Sequence, residues 1–251
     1  MDIGYLTLRG KVREKDEDSL LVLSSAFAYE GKEDEKAVAV LADGMGGGEL
    51  GEVASRIAVT TFRNNLLPLL VSEAVDGNMI RTGMTDAFER TNAEIFSYSK
   101  NHQLSFMGTT ATALFLYGKR ALIGNVGDSR TYVIDQEGRV KFRTRDHSYV
   151  QELILSGEIS EDEGRNDPRR NQLTRALGIE RTIFADISSM EVGGGETILL
   201  CCDGLWGALS ESELRKQAIR GESAQETAKI LADEANENDG SDNISIIVLK
   251  I

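Results

Sequence analysis

Asp43 follows the apolar stretch AVAVLA, Asp203 follows ETILLCC, and Asp242 precedes Asn243 and the closing run ISIIVLKI. An apolar run of strand-like composition that ends in Asp-Gly sets a carboxylate at the rim of a sheet, where backbone and ligand can approach closely. Glu17 and Asp18 add an acidic pair in VREKDEDSL. One such aspartate is ordinarily a turn former; several in one chain point to ligands converging on a hard cation. Only two histidines are present, His102 and His147. That disfavours a histidine-rich zinc or copper site and favours oxygen ligation of Mg²⁺ or Mn²⁺.

Each of these groups has a plainer explanation beside the chemical one. Asp43-Gly44 can offer a side-chain oxygen and an unobstructed backbone carbonyl to a cation, or it can belong to a glycine-rich turn with glycines at 46, 47 and 48. A phosphate-cradling loop is excluded there: no GxxxxGK[ST] pattern exists, and Asp43 would repel a phosphate lacking a metal. Asp203-Gly204 repeats the pattern or caps the next helix, and Asp242-Asn243 taken alone reads as an Asx-turn. Arg13 is suited to gripping a phosphate by two parallel hydrogen bonds, or it offsets the acidic cluster. By spacing alone, Gly127-Asp128-Ser129-Arg130 is a hairpin turn. Asp146-His147-Ser148 opens a helix, where a lone histidine beside a cap is a weak signal of acid–base chemistry.

The elements that must position these groups follow from periodicity. Strands are expected at 3–9, 20–23 and 37–42. Leu50, Val53, Ala54, Ile57 and Ala58 have helical spacing, so a helix starts near Glu49. Ile80, Met84, Phe88, Thr91 and Ile95 mark a second amphipathic helix. A strand meander follows at 109–117, 120–126 and 130–134, antiparallel because Gly118-Lys119 is a hairpin link. A helix is expected at 147–156, then the polar, aperiodic stretch 156–171 as a mobile loop. Strands at 183–189 and 197–202 flank three glycines, helices start at Ser210 and Ser223 with serine N-caps, and a strand covers 243–250. Grouped strands with paired helices lack the βαβ rhythm and suggest packed antiparallel sheets with helices outside.

Composition narrows the function. The chain has 251 residues, enough for one large domain, and a formal charge of −13. Such a surface repels nucleic acid and anionic membranes. Clustered carboxylates also raise one another's pKa values unless a metal or arginine neutralises them. No stretch has the apolar length of a membrane span, and the N-terminus lacks an apolar signal core, so a cytoplasmic location is expected. Cys201 and Cys202 are adjacent on a strand and point to opposite faces, poorly placed to bond each other.

Nine short motifs stand in order along the chain: RxxxED at 13–18, DGMGG at 43–47, GExAS at 51–55, GTT at 108–110, GNVGDSR at 124–130, RDHS at 145–148, LTRALG at 173–178, CDGLW at 202–206 and DN at 242–243. Together they resemble the metal-dependent serine/threonine protein phosphatases of the protein phosphatase 2C class, in their bacterial form. The resemblance implies an α+β fold over residues 1–251 as a single domain: an α-β-β-α sandwich of two antiparallel sheets flanked by helices, with metals in a cleft at one end. It further implies that Asp43 bridges two Mn²⁺ or Mg²⁺ ions, with the Gly44 carbonyl on the second and Asp203 and Asp242 on the first. Glu17 and Asp18 match an acidic pair that binds metal or holds its waters. Asp128, with Asp203, matches the holder of a weaker third ion, and Arg13 matches the arginine that grips phosphate. The stretch near 156–171, with Arg165, Arg169 and Arg170, corresponds to the family's flap and is expected to select among phosphoproteins. The implied reaction is hydrolysis of phosphoserine and phosphothreonine on proteins by a hydroxide activated between two ions. The implied partners are phosphorylated proteins and a serine/threonine kinase, and the expected state is a monomer.

Three positions depart from the family pattern. Asp16 stands where many bacterial members have Asn, and Gly48 replaces a common His. Met45 stands where animal relatives carry a His proposed as general acid, which leaves water as the proton donor. No ligand position is lost. A catalytically silent phosphoprotein-binding module would lack ligands, whereas the carboxylate positions here are filled. A phosphatase with an aspartyl nucleophile needs a DxD pattern after an apolar strand; Asp16-Glu17-Asp18 has the pattern without the strand.

Overall fold

Alternation along apolar strands decides which layer each side chain enters. A computed structural model of the chain describes residues 1–29, 32–46 and 50–251. In chain order the elements are β1 (Asp2–Leu8), β2 (Asp18–Tyr29), β3 (Lys32–Gly46), α1 (Gly51–Leu70), α2 (Gly77–Asn101), β4 (Met107–Thr109), β5 (Ala111–Tyr117), β6 (Arg120–Val126), β7 (Arg130–Ile134) and β8 (Val140–Arg143). There follow α3 (Tyr149–Ser156), α4 (Glu161–Arg165), β9 (Asp186–Glu191), β10 (Thr197–Cys201), α5 (Asp203–Trp206), α6 (Glu211–Ala218), α7 (Ala224–Asn238) and β11 (Ile244–Lys250). One sheet has the order β1-β11-β10-β7-β8 and the other β2-β3-β5-β6-β9, with β4 paired to the end of β3. Every strand pairing among the described residues is antiparallel.

The two sheets face each other through Ala37, Ala39, Leu41, Leu114, Ile198, Leu200, Ile247 and Leu249. The alternate residues Val38, Val40, Ala113 and Phe115 pack outward against Phe62 and Leu66 of α1 and Met84 and Phe88 of α2. Leu199, Cys201, Ile246 and Val248 pack on the other outer face against Leu214 of α6 and Leu231 of α7. Burial of each large apolar side chain contributes about 1.5–3 kcal/mol, which makes this register strongly preferred over a one-residue slip. The α-β-β-α sandwich thus follows from period-two patterning. Cys201 and Cys202 fall in different layers, both buried and unbonded. No helix among the described residues is long and apolar enough to cross a membrane.

Several local expectations change. The three-residue link Gly127-Asp128-Ser129 is not a hairpin turn: β6 and β7 lie in different sheets, and the chain crosses the sandwich there. Gly127 makes the crossing with φ +102°, and a side chain would place its Cβ 2.6 Å from Thr110 Cβ. β3 extends to Gly46, so Asp43 and Gly44 sit within the strand rather than beyond it. A break at Thr110 divides the expected strand 109–117 into β4 and β5. Ser148 caps α3, and within the aperiodic stretch 156–171 a capping box between Ser160 and Glu163 supports α4. Ser210 and Ser223 are N-caps, as expected. The helix start near Glu49 and the glycines at 47 and 48 lie outside the described residues; α1 begins at Gly51.

Candidate active site

The end of β3 is where the backbone delivers two candidate ligands. Opposite Asp43, the Thr110 N–H donates to the Asp43 carbonyl (2.9 Å) and the Asp43 N–H donates to Thr110 Oγ1 (3.1 Å). Asp43 pairs in register with Asp18 at the start of β2. Gly44 donates its N–H to the Glu17 carbonyl (3.2 Å). A Cβ at Gly44 would lie 2.1 Å from the Gly51 carbonyl oxygen and 2.5 Å from that of Glu17, so only glycine fits between these backbones.

Asp203 opens α5 directly after β10, and Asp242 precedes β11, the strand beside β10. The antiparallel pairing brings both to one end of the sheet. Asp242 Oδ2 accepts from Arg13 Nη2 (2.6 Å), and its Oδ1 accepts from the Asn243 N–H (2.8 Å). Asn243 is buried and acts as a clasp: its Oδ1 accepts from the Glu17 N–H (3.0 Å), and its Nδ2 donates to the carbonyls of Arg9 (2.9 Å) and Lys15 (2.9 Å). The segment carrying Arg13 and Glu17 is thereby held over the sheet ends.

Arg13, Glu17, Asp43, Gly44, Asp128, Asp203 and Asp242 line a single cleft of about 220 Å³. Asp18 lies behind it. Both its carboxylate oxygens are buried without a hydrogen-bond partner, and one of them lies within 4.8 Å of an Asp43 carboxylate oxygen and of the Cys202 sulfur. The flap arginines do not line the cleft; Asn171 and Leu173, just beyond them, do. Arg165 donates to the Leu209 carbonyl (2.9 Å), Arg170 to the Arg165 carbonyl (3.3 Å), and Arg169 pairs with Asp167 (2.7 Å). Thr110, Asn171 and Leu173 carried no chemical signal of their own in the sequence, although Thr110 stands in the GTT motif and Leu173 opens LTRALG.

Burial together with mutual repulsion governs the electrostatics. Asp43 is held well above the usual carboxylate range by burial, then by the charges of Asp18, Asp203, Asp128 and Asp242. Asp128 is likewise raised, by burial and then by Asp203 and Asp146. Burial pushes Asp18 up to about 7, with Asp16 and Asp203 adding to it, and pushes Asp203 up to about 6, with Asp242 adding. Glu17 is raised by burial and by Glu52. Burial would lower Arg13, but its bond to Asp242 and the surrounding carboxylates override this and raise it.

Among the described residues, five carboxylates and one guanidinium line this cleft, and the partnerless oxygens of Asp18 are buried beside Asp43. Such a set fits hard divalent cations that prefer oxygen donors, Mn²⁺ or Mg²⁺. The Cys202 thiol is not needed as a ligand: it donates to the Asn243 carbonyl (3.3 Å), and the Ser245 N–H donates to its sulfur (3.1 Å).

Fold and cleft define a class: an α-β-β-α sandwich with an oxygen-donor cleft at one end. The chain belongs to the protein phosphatase 2C family, whose family model matches residues 24–239. It is 34% identical over 254 residues to the serine/threonine phosphatase stp of Listeria monocytogenes serotype 4b, covering 100% of this chain and 96% of that one. Among solved structures, a Streptococcus agalactiae serine/threonine phosphatase superposes with a TM-score of 0.86 at 27% identity, covering 100% of this chain and 99% of that one. The catalytic domain of the serine/threonine protein phosphatase PstP in complex with two manganese ions superposes with a TM-score of 0.78 at 28% identity, covering 98% and 97%.

Proposed function

We propose that this serine/threonine protein phosphatase hydrolyses phosphoserine and phosphothreonine on proteins with two Mn²⁺ or Mg²⁺ ions held in the carboxylate cleft. The observation that carries this reading is the convergence of five carboxylates and one arginine on a single cleft. Asp43 would serve both ions, with the Gly44 carbonyl on one and Asp203 and Asp242 on the other. Glu17 and Asp18 would bind metal or its waters, and Asp128 with Asp203 would hold a weaker third ion. Bound cations supply neutralisation of phosphate charge and a water acidified toward neutral pH. The two manganese ions in the PstP structure, at 28% identity, support metal dependence.

The chain's own groups divide the remaining work. Arg13 has N–H donors beyond the one given to Asp242, and these would bind phosphate oxygens and stabilise their charge in the transition state. Asn243 keeps Arg13 and Glu17 registered over Asp242. No histidine lines the cleft among the described residues, and Met45 there has no proton to give, so the leaving oxygen would take its proton from water. An aspartyl nucleophile at Asp16 is disfavoured: its carboxylate accepts from Thr7 Oγ1 (2.5 Å) and the Asp18 N–H (3.1 Å), away from the cleft lining.

We further propose a single catalytic domain over the whole chain, monomeric and cytoplasmic, acting on proteins phosphorylated by a serine/threonine kinase of the same cell. The acidic surface supports protein substrates over nucleic acid or anionic membrane. Stripping with chelator should abolish hydrolysis of a phosphoserine peptide, and Mn²⁺ should restore it without a covalent phosphoenzyme. Full activity in chelator, or a trapped phosphoaspartate, would overturn the proposal.

A further inference from the structure

His147 takes no part in the chemistry just described, yet the residue is buried, with 4% exposure, and its ring is engaged on both edges. On one edge the Gly127 N–H donates to Nδ1 (3.1 Å). The His147 N–H donates back to the Gly127 carbonyl (2.9 Å), so one residue grips both sides of Gly127. On the other edge Nε2 lies 3.2 Å from Asp186 Oδ2. A peptide N–H can only donate, so Nδ1 must carry a lone pair and the ring proton sits on Nε2, directed at Asp186. Arg175 Nη1 is also 3.1 Å from Nε2, but the Phe184 carbonyl (3.0 Å) and Asp186 Oδ1 (2.9 Å) suffice to take both of its hydrogens. Asp186 therefore fixes the tautomer, and the tautomer presents the acceptor that Gly127 needs.

The grip falls on the crossing between the two sheets, one residue before Asp128. Downstream, Trp206 Nε1 donates to the Asp128 carbonyl (3.0 Å), and Ser129 Oγ meets Thr110 Oγ1 (2.7 Å). On the upstream side of Asp128, the side-chain anchors among the described residues are His147 and Asn125, whose Nδ2 donates to the Gly127 carbonyl at a longer 3.2 Å. The His147 carbonyl also accepts from the Thr174 N–H (2.9 Å), immediately after Leu173, which lines the cleft. Residue 147 thus stands between the Asp128 crossing and the segment that leaves the flap.

We propose that His147 is a positioning residue, whose Nδ1 holds the Gly127 N–H and thereby aims the Asp128 carboxylate into the cleft. The inference rests on the reading of Asp128 as a functional carboxylate. Asparagine and glutamine divide the two edges of the ring. In His147→Asn the amide oxygen takes the place of Nδ1, keeping the Gly127 bond and losing Asp186. In His147→Gln the amide reaches the place of Nε2, keeping Asp186 and losing Gly127.

Hydrogen exchange of the Gly127 amide in metal-free protein should stay slow in the asparagine variant and quicken in the glutamine variant. Loss of partners that orient a metal site typically costs about 10–100-fold, so kcat on p-nitrophenyl phosphate should fall by that order in His147→Gln, with KM little changed. The asparagine variant should stay within a few-fold of wild type at a comparable melting temperature. Wild-type kcat in the glutamine variant, or equal losses in both variants tracking their melting temperatures, would overturn the proposal. Asp128→Ala separates the two levels: an impaired Asp128→Ala beside an unimpaired His147→Gln removes only the inference about His147, whereas an unimpaired Asp128→Ala removes both. Should His147→Gln fail to fold, Asp186→Asn, which frees the tautomer but keeps the ring, should quicken Gly127 exchange and lower kcat several-fold; no change in either would overturn the proposal.

Discussion

The carboxylate cleft and the larger cavity beneath the flap share a thin wall. Asp128 and Asn171 line the cleft, and Arg130 and Arg170, one or two residues along, line the cavity. The cavity measures about 320 Å³ against about 220 Å³ for the cleft, yet their charges are arranged in opposite ways. Four arginines and four carboxylates line the cavity. Arg130 grips Asp146 with two bonds (2.9 and 2.6 Å) and lies 3.8 Å over the Trp206 ring, and Arg143 pairs with Glu211 (3.1 Å) and Glu161 (3.5 Å). Among the described residues, the cleft sets five carboxylates against Arg13 alone. Charge balance, rather than volume, separates a braced wall from a site that needs a cation. The same contrast places Arg165 and Arg170 with the bracing, so any part they take in choosing substrates is played outside the cleft.

Substitutions should therefore have opposite consequences in the two regions. The largest effect is expected for Asp43→Asn and Asp203→Asn, which should abolish turnover of p-nitrophenyl phosphate. Their metal-free forms should melt no lower than wild type, because each removes one of several repelling charges. Near wild-type turnover in either variant would break the comparison. In the wall, Arg130→Met leaves the buried Asp146 uncompensated and should cost about 3–5 kcal/mol, read as a lower urea midpoint.

A pH series sharpens the contrast. Asp203 and Asp18 titrate higher in the folded protein, at about 6 and about 7, than in an unfolded chain. The folded state therefore binds more protons between those values and the unfolded carboxylate range. Metal-free stability should fall as pH rises through this window, and Mn²⁺ should flatten the dependence. Melting temperatures in chelator that rise steadily from pH 5 to pH 8 would contradict the burial of uncompensated carboxylates.

The smallest effects distinguish the cleft from the flap. Arg13→Ala should raise KM for every phosphomonoester, small or protein-bound. Shortening the flap near 156–171 should alter selection among phosphoproteins and spare p-nitrophenyl phosphate. A proportional loss on the small substrate would make the flap part of the cleft's architecture.

The candidate ligands were legible because their signal is local: Asp43, Asp203 and Asp242 each adjoin an apolar run, and a strand brings its end to the sheet rim wherever that strand pairs. The sandwich layers were legible for the same reason, through period two. What stayed hidden depends on distant pairing. A three-residue link between β6 and β7 has hairpin length, and only the placement of β7 beside β10 reveals a crossing between sheets. Asn243 reads as an Asx-turn residue, yet it works through bonds to Arg9, Lys15 and Glu17 at the opposite end of the chain. His147 beside a cap gave little away, since its partners Gly127 and Asp186 converge only in three dimensions. β8 lacks a strong apolar run and was not expected.

Calorimetric titration of chelator-stripped protein with Mn²⁺, wild type against Asp43→Asn, tests the central claim that the clustered carboxylates of the cleft hold the catalytic cations. The wild-type protein should take up two ions tightly, and Asp43→Asn, which removes the carboxylate shared by both, should lose that tight binding. Binding of Mn²⁺ by Asp43→Asn with wild-type stoichiometry and affinity would contradict the claim.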